Sequence, residues 1–250
     1  LGPGPNDDKE ATVLNRVIRW TAEGLEFEAD PRQVERLLEE LELDGPGVNG
    51  VVTPGVKVMS HQLQDEAELP KCEHTRFRGL AARANYLAAD RPDIMFAAKE
   101  ICRFMAKPTL LSVESLKRLG RYLNDKKRLV YKYRWQEDPD GIDVYVDTDH
   151  AGCLKTRKST SGGCIMLGAH LLKSGSSTQP TITLSSGEAE LQGVVRGAAA
   201  GLGMVSLFAD LGVKVQMRLW TDSTASKGIC ARQGLGKVRH LDTQTMWIQQ

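Results

Sequence analysis

The sequence predicts an α/β fold: a mixed sheet flanked by helices in the C-terminal part, preceded by a small α+β segment and a run of helices. Aliphatic residues alternate with polar ones in 142–149 and again in 215–220, which is the period of a half-buried strand. Between these strands, residues 191–209 carry apolar side chains at three- and four-residue spacing, which predicts a helix packed on the sheet. Each strand leads into a carboxylate, Asp147 or Asp222.

A third carboxylate comes from the start of the predicted helix. Ser185 and Glu188 have the spacing of a capping box, which gives Glu188 a structural role and leaves Glu190 as the free acid. One Asp after a strand is ordinary turn chemistry, but its recurrence on two strands favours a shared site. The candidate catalytic and metal-binding residues are therefore Asp147, Glu190 and Asp222. Carboxylates stay charged side by side only with a cation, and a hard ion such as Mg²⁺ prefers oxygen ligands.

The composition is that of an ordinary globular protein, since 41% of the 250 residues are hydrophobic and 26% are charged, which excludes disordered and fibrous classes. The longest apolar stretch, 197–209, is too short to span a bilayer, so we expect no membrane partner. The five cysteines include no C-x-x-C pair and predict free thiols in an intracellular protein, cytoplasmic or nuclear. A zinc site of His150, Cys153 and Cys164 is a weaker alternative, because it lacks a fourth ligand at a recognisable spacing.

Basic residues are clustered although the formal net charge is only +1. Residues 117–134 contain eight Lys and Arg against the single acid Asp125, with tyrosines interleaved. This run is either a solvated face or a surface that binds phosphate groups, and the sequence leaves both interpretations open. The basic, hydroxyl-rich loop 156–162 is either a phosphate contact near the acids or a plain polar turn. Candidate substrate-binding residues are Lys117, Arg118, Arg121, Arg157, Lys158 and Ser159.

The remaining elements are predicted from periodicity and from helix caps. Asp30 and Pro31 predict the N-cap and first position of a helix whose apolar stripe is Val34, Leu37, Leu38 and Leu41. The other predicted helices cover 77–89, 91–106 and 112–123, and the other predicted strands cover 11–20, 25–28, 163–168 and 170–173. Residues 47–72 are expected to form a long loop, and 136–141 a linker. The predicted division of the chain is 1–70, 71–135 and 141–250.

Four segments resemble the ribonuclease H domain of copia-type LTR retrotransposon Pol polyproteins: 146–152, 156–162, 179–190 and 221–223. Residues 1–70 resemble the end of the reverse transcriptase palm of that family and the start of its thumb, and 71–135 resemble its helical thumb and connection. The resemblance implies a ribonuclease H-like fold in which Asp147, Glu190 and Asp222 are the first three acids of the metal site. It also implies two Mg²⁺ ions, for which Mn²⁺ substitutes, and hydrolysis of the RNA strand of an RNA–DNA hybrid. The implied partners are that hybrid and the upstream reverse transcriptase palm of the same polyprotein.

The sequence departs from the family at two places. His150 stands where the family has Trp. In the family, the motif resembling 239–242 is followed by a further strand and a helix with the fourth acid, whereas this sequence ends at Gln250, so we expect a C-terminally truncated domain. Asp242 resembles a residue of an earlier helix and is expected to be structural. Two functions therefore stay open: an active endoribonuclease, or an inactive remnant that keeps the fold and at most binds nucleic acid. An integrase-type nuclease is disfavoured, because its acids run Asp, Asp, Glu.

Overall fold

The computed structural model describes residues 1–56, 66–234 and 243–249. The chain divides into two compact units, Leu1–Trp135 and Gln136–Gln250, each with a four-stranded sheet and helices. The predicted α/β class is therefore confirmed. Residues 239–242, which carry one of the family motifs, lie outside the described part of the chain.

The N-terminal unit combines an antiparallel sheet, in the order β1-β2-β3-β4, with a group of helices. Short 3-10 turns at Lys71–Glu73 and Pro92–Ile94 precede its second and third helices. Its elements are β1 (Glu10–Val13), β2 (Arg16–Thr21), β3 (Gly24–Glu28), α1 (Pro31–Glu40), α2 (His74–Ala88), α3 (Met95–Cys102), α4 (Leu110–Asp125) and β4 (Val130–Arg134).

The start of α1 agrees with its predicted cap. The Asp30 carboxylate accepts a hydrogen bond from the backbone N–H of Arg32 at 3.1 Å, and Pro31 takes the first helical position, where no N–H is needed. The predicted stripe of α1 is buried and packs with apolar side chains of α2, α3 and α4. Residues 1–70 and 71–135 thus contribute to one shared core.

Two predictions for the N-terminal unit were wrong, and one strand was missed. The strand predicted over 11–20 is two strands joined by a tight hairpin, because Leu14 and Asn15 adopt positive φ values of 51° and 65°. The helix predicted over 91–106 starts as a 3-10 turn and ends at Cys102. Strand β4 was not predicted at all, since its alternation of aromatic and basic residues was interpreted as a charge cluster.

The C-terminal unit has the sheet order β7-β6-β5-β8. β5 pairs antiparallel with β6 and parallel with β8, and β6 pairs antiparallel with β7. The predicted strands, the parallel pair and the helices are confirmed, with β6 and β7 longer than predicted. The elements are β5 (Gly141–Asp149), β6 (Thr160–Leu167), β7 (His170–Thr178), α5 (Ser186–Asp210), β8 (Gln216–Trp220) and α6 (Thr224–Cys230).

Helix α5 contacts the sheet through a face that contains glycines, where the sheet leaves no room for a Cβ atom. A methyl group on Gly193 would come within 2.5 Å of Thr148 Oγ1, one on Gly197 would collide with Val146, and one on Gly201 would collide with Met217. These glycines are spaced by four residues, so they share one face of the helix.

The glycine face explains where the predicted apolar stripe of α5 failed. Leu191, Val194 and Ala198 are buried as predicted, but Leu202 is 49% exposed and Ala209 is exposed. In the second half of the helix the face towards the sheet contains Gly201 instead. By length and composition alone this 25-residue helix could cross a membrane. In the structure, its glycine face packs on a sheet, as the central helix of a globular domain does.

We predict that Gly197→Ala destabilises the C-terminal unit by about 1–3 kcal/mol, because the added methyl group overpacks the contact with Val146. The matched control is Gly203→Ala, since a methyl group there meets no atom within 4 Å. The control should stabilise the helix by about 0.5–1 kcal/mol. Hydrogen exchange of the β5 and α5 amides measures the opening free energy of this unit. Equal effects of the two substitutions would contradict close packing at Gly197.

Candidate metal centre

Carboxylate oxygens of Asp147, Glu190 and Asp222 lie within 4.8 Å of one another. Asp147 belongs to β5, Asp222 follows the end of β8, and Glu190 lies in the second turn of α5. The parallel pairing of β5 with β8 brings the first two acids to the same edge, and the close approach of α5 adds the third. In the described part of the chain, no other group of three His, Cys, Asp or Glu side chains is gathered in this way. The alternative set of His150, Cys153 and Cys164 is therefore not brought together.

The electrostatics of the three acids fit a divalent cation. Asp147 and Asp222 are exposed, whereas Glu190 is half-buried and its buried Oε2 atom has no hydrogen-bond partner among the residues that the structure describes. Burial raises the pKa of Glu190, the charges of Asp147 and Asp222 raise it further, and a backbone hydrogen bond from Thr148 opposes the shift. An unpartnered carboxylate oxygen beside two like charges is the environment that a hard cation would satisfy.

The start of α5 holds Glu190 through its cap. The Ser185 hydroxyl accepts a hydrogen bond from the backbone N–H of Glu188 at 3.2 Å. The Glu188 carboxylate accepts one from the backbone N–H of Leu184 at 2.7 Å, one residue before the cap. Glu188 is only 7% exposed, so its structural role agrees with the capping prediction.

Ser159, a predicted phosphate contact, is fully buried and has a structural role instead. Its hydroxyl accepts a hydrogen bond from the backbone N–H of Ala151 at 3.0 Å and lies 3.1 Å from the Thr183 hydroxyl. It therefore joins the loop after β5 to the segment before α5 and does not face solvent. Arg157 is exposed in the same loop, with a positive φ of 56°, and Lys158 is half-buried. The predicted contact of Arg157 and Lys158 with substrate remains a prediction.

The basic run 117–134 is partly neutralised by acids of β3 and its turn. Arg128 donates to the buried Glu28 carboxylate at 2.7 Å, Lys132 lies 3.4 Å from Glu26, and Arg134 also pairs with an acid. Lys132 lies directly across from Glu26 in the antiparallel pair, so this part of the run forms a cross-strand charge pair.

The three predicted substrate-binding residues of this run lie on α4. Arg118 is half-buried and donates to the Thr53 hydroxyl at 2.8 Å. Lys117 and Arg121 are exposed one helical turn apart. Of the three, these two present their charges to solvent.

An aromatic pair that the sequence did not single out lies on the same face of the sheet as Asp147, with Tyr145 on β5 and Trp220 on β8. The rings of Tyr145 and Trp220 stack with centroids 6.3 Å apart, and both residues are about half exposed. The indole N–H of Trp220 donates to Asp143 at 2.7 Å. Tyr145 lies two residues before Asp147, so the strand alternation already placed the two side chains on one face.

We predict that the acids destabilise the C-terminal unit when no divalent cation is present. The pKa of Glu190 in the folded chain lies above its ordinary value of 4.5. The stabilisation that comes from the raised pKa of Glu190 is therefore fully present below pH 4.5 and is lost as the pH rises through the raised pKa. Asp147→Asn should weaken this loss and raise the free energy of unfolding at pH 7 without metal by less than about 1 kcal/mol, because solvent screens the exposed Asp147 charge.

Calorimetric melting with and without Mg²⁺ tests this prediction. Mg²⁺ should raise the melting temperature of the wild-type chain and have little effect on Asp147→Asn, because binding to the folded state stabilises it. Asp149→Asn is the control, as Asp149 is exposed on the same strand outside the group of three. Equal stabilisation of all three proteins by Mg²⁺ would rule out a site at Asp147.

Comparisons with known proteins give relatives that include two Pol polyproteins of transposons. No family model and no solved structure matches the chain. The chain is 34% identical over 125 residues to the "Uncharacterized mitochondrial protein AtMg00810" of Arabidopsis thaliana. The matched segment covers 49% of this chain and 51% of that relative. It is 30% identical over 159 residues to the "Retrovirus-related Pol polyprotein from transposon RE1" of the same plant, covering 63% of this chain and 11% of the relative. With the corresponding RE2 protein it shares 28% identity over 185 residues, 72% of this chain and 12% of the relative.

The chain thus spans about half of the first relative and a small part of each polyprotein. These matches confirm the resemblance that the motifs indicated: the chain is related to the Pol polyproteins of retrotransposons.

Proposed function

We propose that the C-terminal unit is a ribonuclease H-type endoribonuclease that hydrolyses the RNA strand of an RNA–DNA hybrid. The observation that carries the proposal is the convergence of Asp147, Glu190 and Asp222 within 4.8 Å. The acids come from two parallel strands and one helix of a chain related to Pol polyproteins, which supports a nuclease site over a chance cluster.

The topology of the unit supports a ribonuclease H-like fold. Three antiparallel strands, β5 to β7, are followed by a helix and by β8, which returns parallel to β5 at the other side of it. This order places the first and third acids on neighbouring strands and the second on the connecting helix. A metal-dependent hydrolase needs its oxygen ligands on rigid elements of this kind.

The three carboxylates would hold Mg²⁺ or Mn²⁺. When bound, such a cation makes a coordinated water nucleophilic near neutral pH and neutralises charge on the phosphate. Asp147 and Asp222 face solvent and are accessible to a nucleic-acid backbone, while the half-buried Glu190 is held by its helix. Arg157, exposed in the loop after β5, is the candidate contact for a phosphate. Recognition of a hybrid would depend on groove shape and ribose 2′-hydroxyls, without base specificity.

The second candidate is an inactive remnant that binds nucleic acid. Lys117 and Arg121 favour it, since they are exposed on one face of α4 and would contact phosphates without any metal. Binding by such a surface would weaken with salt and would not depend on Asp147 or on a divalent cation.

We predict cleavage of an RNA–DNA hybrid by the full chain in Mg²⁺ or Mn²⁺, and its loss in Asp147→Asn. The loss should exceed about 100-fold, because changing a partner of a metal ligand already costs about 10–100-fold. Asp149→Asn is the matched control and should retain cleavage.

Two results of the cleavage assay would contradict the proposal. Equal turnover of the wild type and Asp147→Asn would place the activity elsewhere. Absence of turnover in a folded wild-type chain that still binds the hybrid would support the remnant.

A further inference from the structure

Gln179 is a buried amide that connects the strand region of Asp147 with the helix of Glu190. It follows β7 and is only 3% exposed. Its Nε2 group donates one hydrogen bond to the Ser161 hydroxyl at 2.8 Å and another to the backbone carbonyl of Ala189 at 2.8 Å. Both amide hydrogens are thus used, one towards the sheet and one towards α5.

Both ends of this bridge lie next to residues of the metal centre. The carbonyl of Ala189 belongs to the peptide group that joins Ala189 to Glu190. Ser161 lies opposite Thr148 in the β5–β6 register, and Thr148 follows Asp147 directly. One side chain therefore links β6, the strand that pairs with the strand of Asp147, to the backbone that carries Glu190.

The backbone of Gln179 is itself held in place. Its N–H donates to the carbonyl of Ser159 at 2.8 Å, and Ser159 is part of the loop after β5. The backbone of Gln179 is therefore held by the loop after β5, so the position of its side-chain amide does not depend on α5 alone.

Glu190 depends on this support because only part of its carboxylate is held. A backbone hydrogen bond from Thr148 reaches the carboxylate, whereas within the described part of the chain its Oε2 atom has no hydrogen-bond partner. The reach of the carboxylate towards Asp147 and Asp222 therefore still depends on the position of its helix. On the next turn, Gly193 packs against Thr148 and limits how far the helix can move towards the sheet. Gln179 limits how far it can move away.

We propose that Gln179 is a positioning residue, which holds Glu190 at the distance from Asp147 that a divalent cation requires. This inference rests on the proposed metal-binding function of the three acids. Gln179 itself touches neither the cation nor the substrate. Partners that orient metal ligands change metal affinity when they are removed, although they make no bond to the metal.

The test is the affinity of the full chain for Mn²⁺, measured by electron paramagnetic resonance of the free ion. Gln179→Met keeps the length of the side chain and removes both hydrogen-bond donors. We expect its Mn²⁺ dissociation constant to rise about 10–100-fold. The matched control is Gln192→Met, since Gln192 donates an exposed hydrogen bond from the same helix to Thr181 at 3.0 Å. The control should stay within about twofold of the wild type, as it does not touch the metal centre.

A milder variant keeps the test decisive if Gln179→Met fails to fold. Ser161→Ala removes the acceptor on β6 and leaves the hydrogen bond to Ala189. A rise in its Mn²⁺ dissociation constant of several-fold, with unchanged circular dichroism, supports the positioning role. An unchanged dissociation constant in Ser161→Ala, when Gln179→Met is unfolded, overturns it.

The remaining outcomes separate this inference from the proposed function. A folded Gln179→Met with a lower melting temperature and wild-type Mn²⁺ affinity makes Gln179 merely structural and overturns the inference alone. Mn²⁺ binding that is absent in the wild type, or unchanged in Asp147→Asn, overturns the metal centre and this inference together. A wild-type chain that binds Mn²⁺ through Asp147 but does not cleave the hybrid contradicts only the proposed catalysis.

Discussion

The close approach of α5 to β5 is the constraint on which the rest of the C-terminal unit depends. Gly193, Gly197 and Gly201 have no side chain to separate the helix from the sheet, so backbone and strand side chains come into direct contact. The carboxylate of Glu190, one turn before this face, therefore reaches the edge where Asp147 and Asp222 lie.

This arrangement has an electrostatic cost that the surrounding structure must offset. Burial and two neighbouring acids raise the pKa of Glu190, so the charged form is disfavoured in the absence of a cation. Buried hydrogen bonds on the neighbouring segments oppose a relaxation of the site, among them the Ser159–Thr183 pair and the two bonds donated by Gln179. These hydrogen bonds tie the segments that carry the acids to one another.

In the N-terminal unit, a cluster of basic residues in the sequence does not by itself indicate a free positive surface, because some of these residues form ion pairs with acids. Residues 117–125, the first half of the basic run 117–134, belong to α4, where Lys117 and Arg121 face solvent. The remainder lies in or next to β4, where Arg128 and Lys132 pair with acids of β3. A cation that already has a carboxylate partner contributes less to phosphate binding than an unpaired one, so the surface on α4 is the better candidate for nucleic-acid contact.

The sequence by itself determined the elements whose signals are local. Alternation fixed the buried face of β5, the Ser185 cap fixed the start of α5, and the carboxylates at the strand ends and first helical turns identified the three acids. Tertiary structure decided the features that depend on distant partners: the burial of Ser159, the exposure of Leu202 and the bridge through Gln179. Periodicity records which face of an element is apolar, but a hydrogen bond or a close glycine contact is defined only when two remote segments meet.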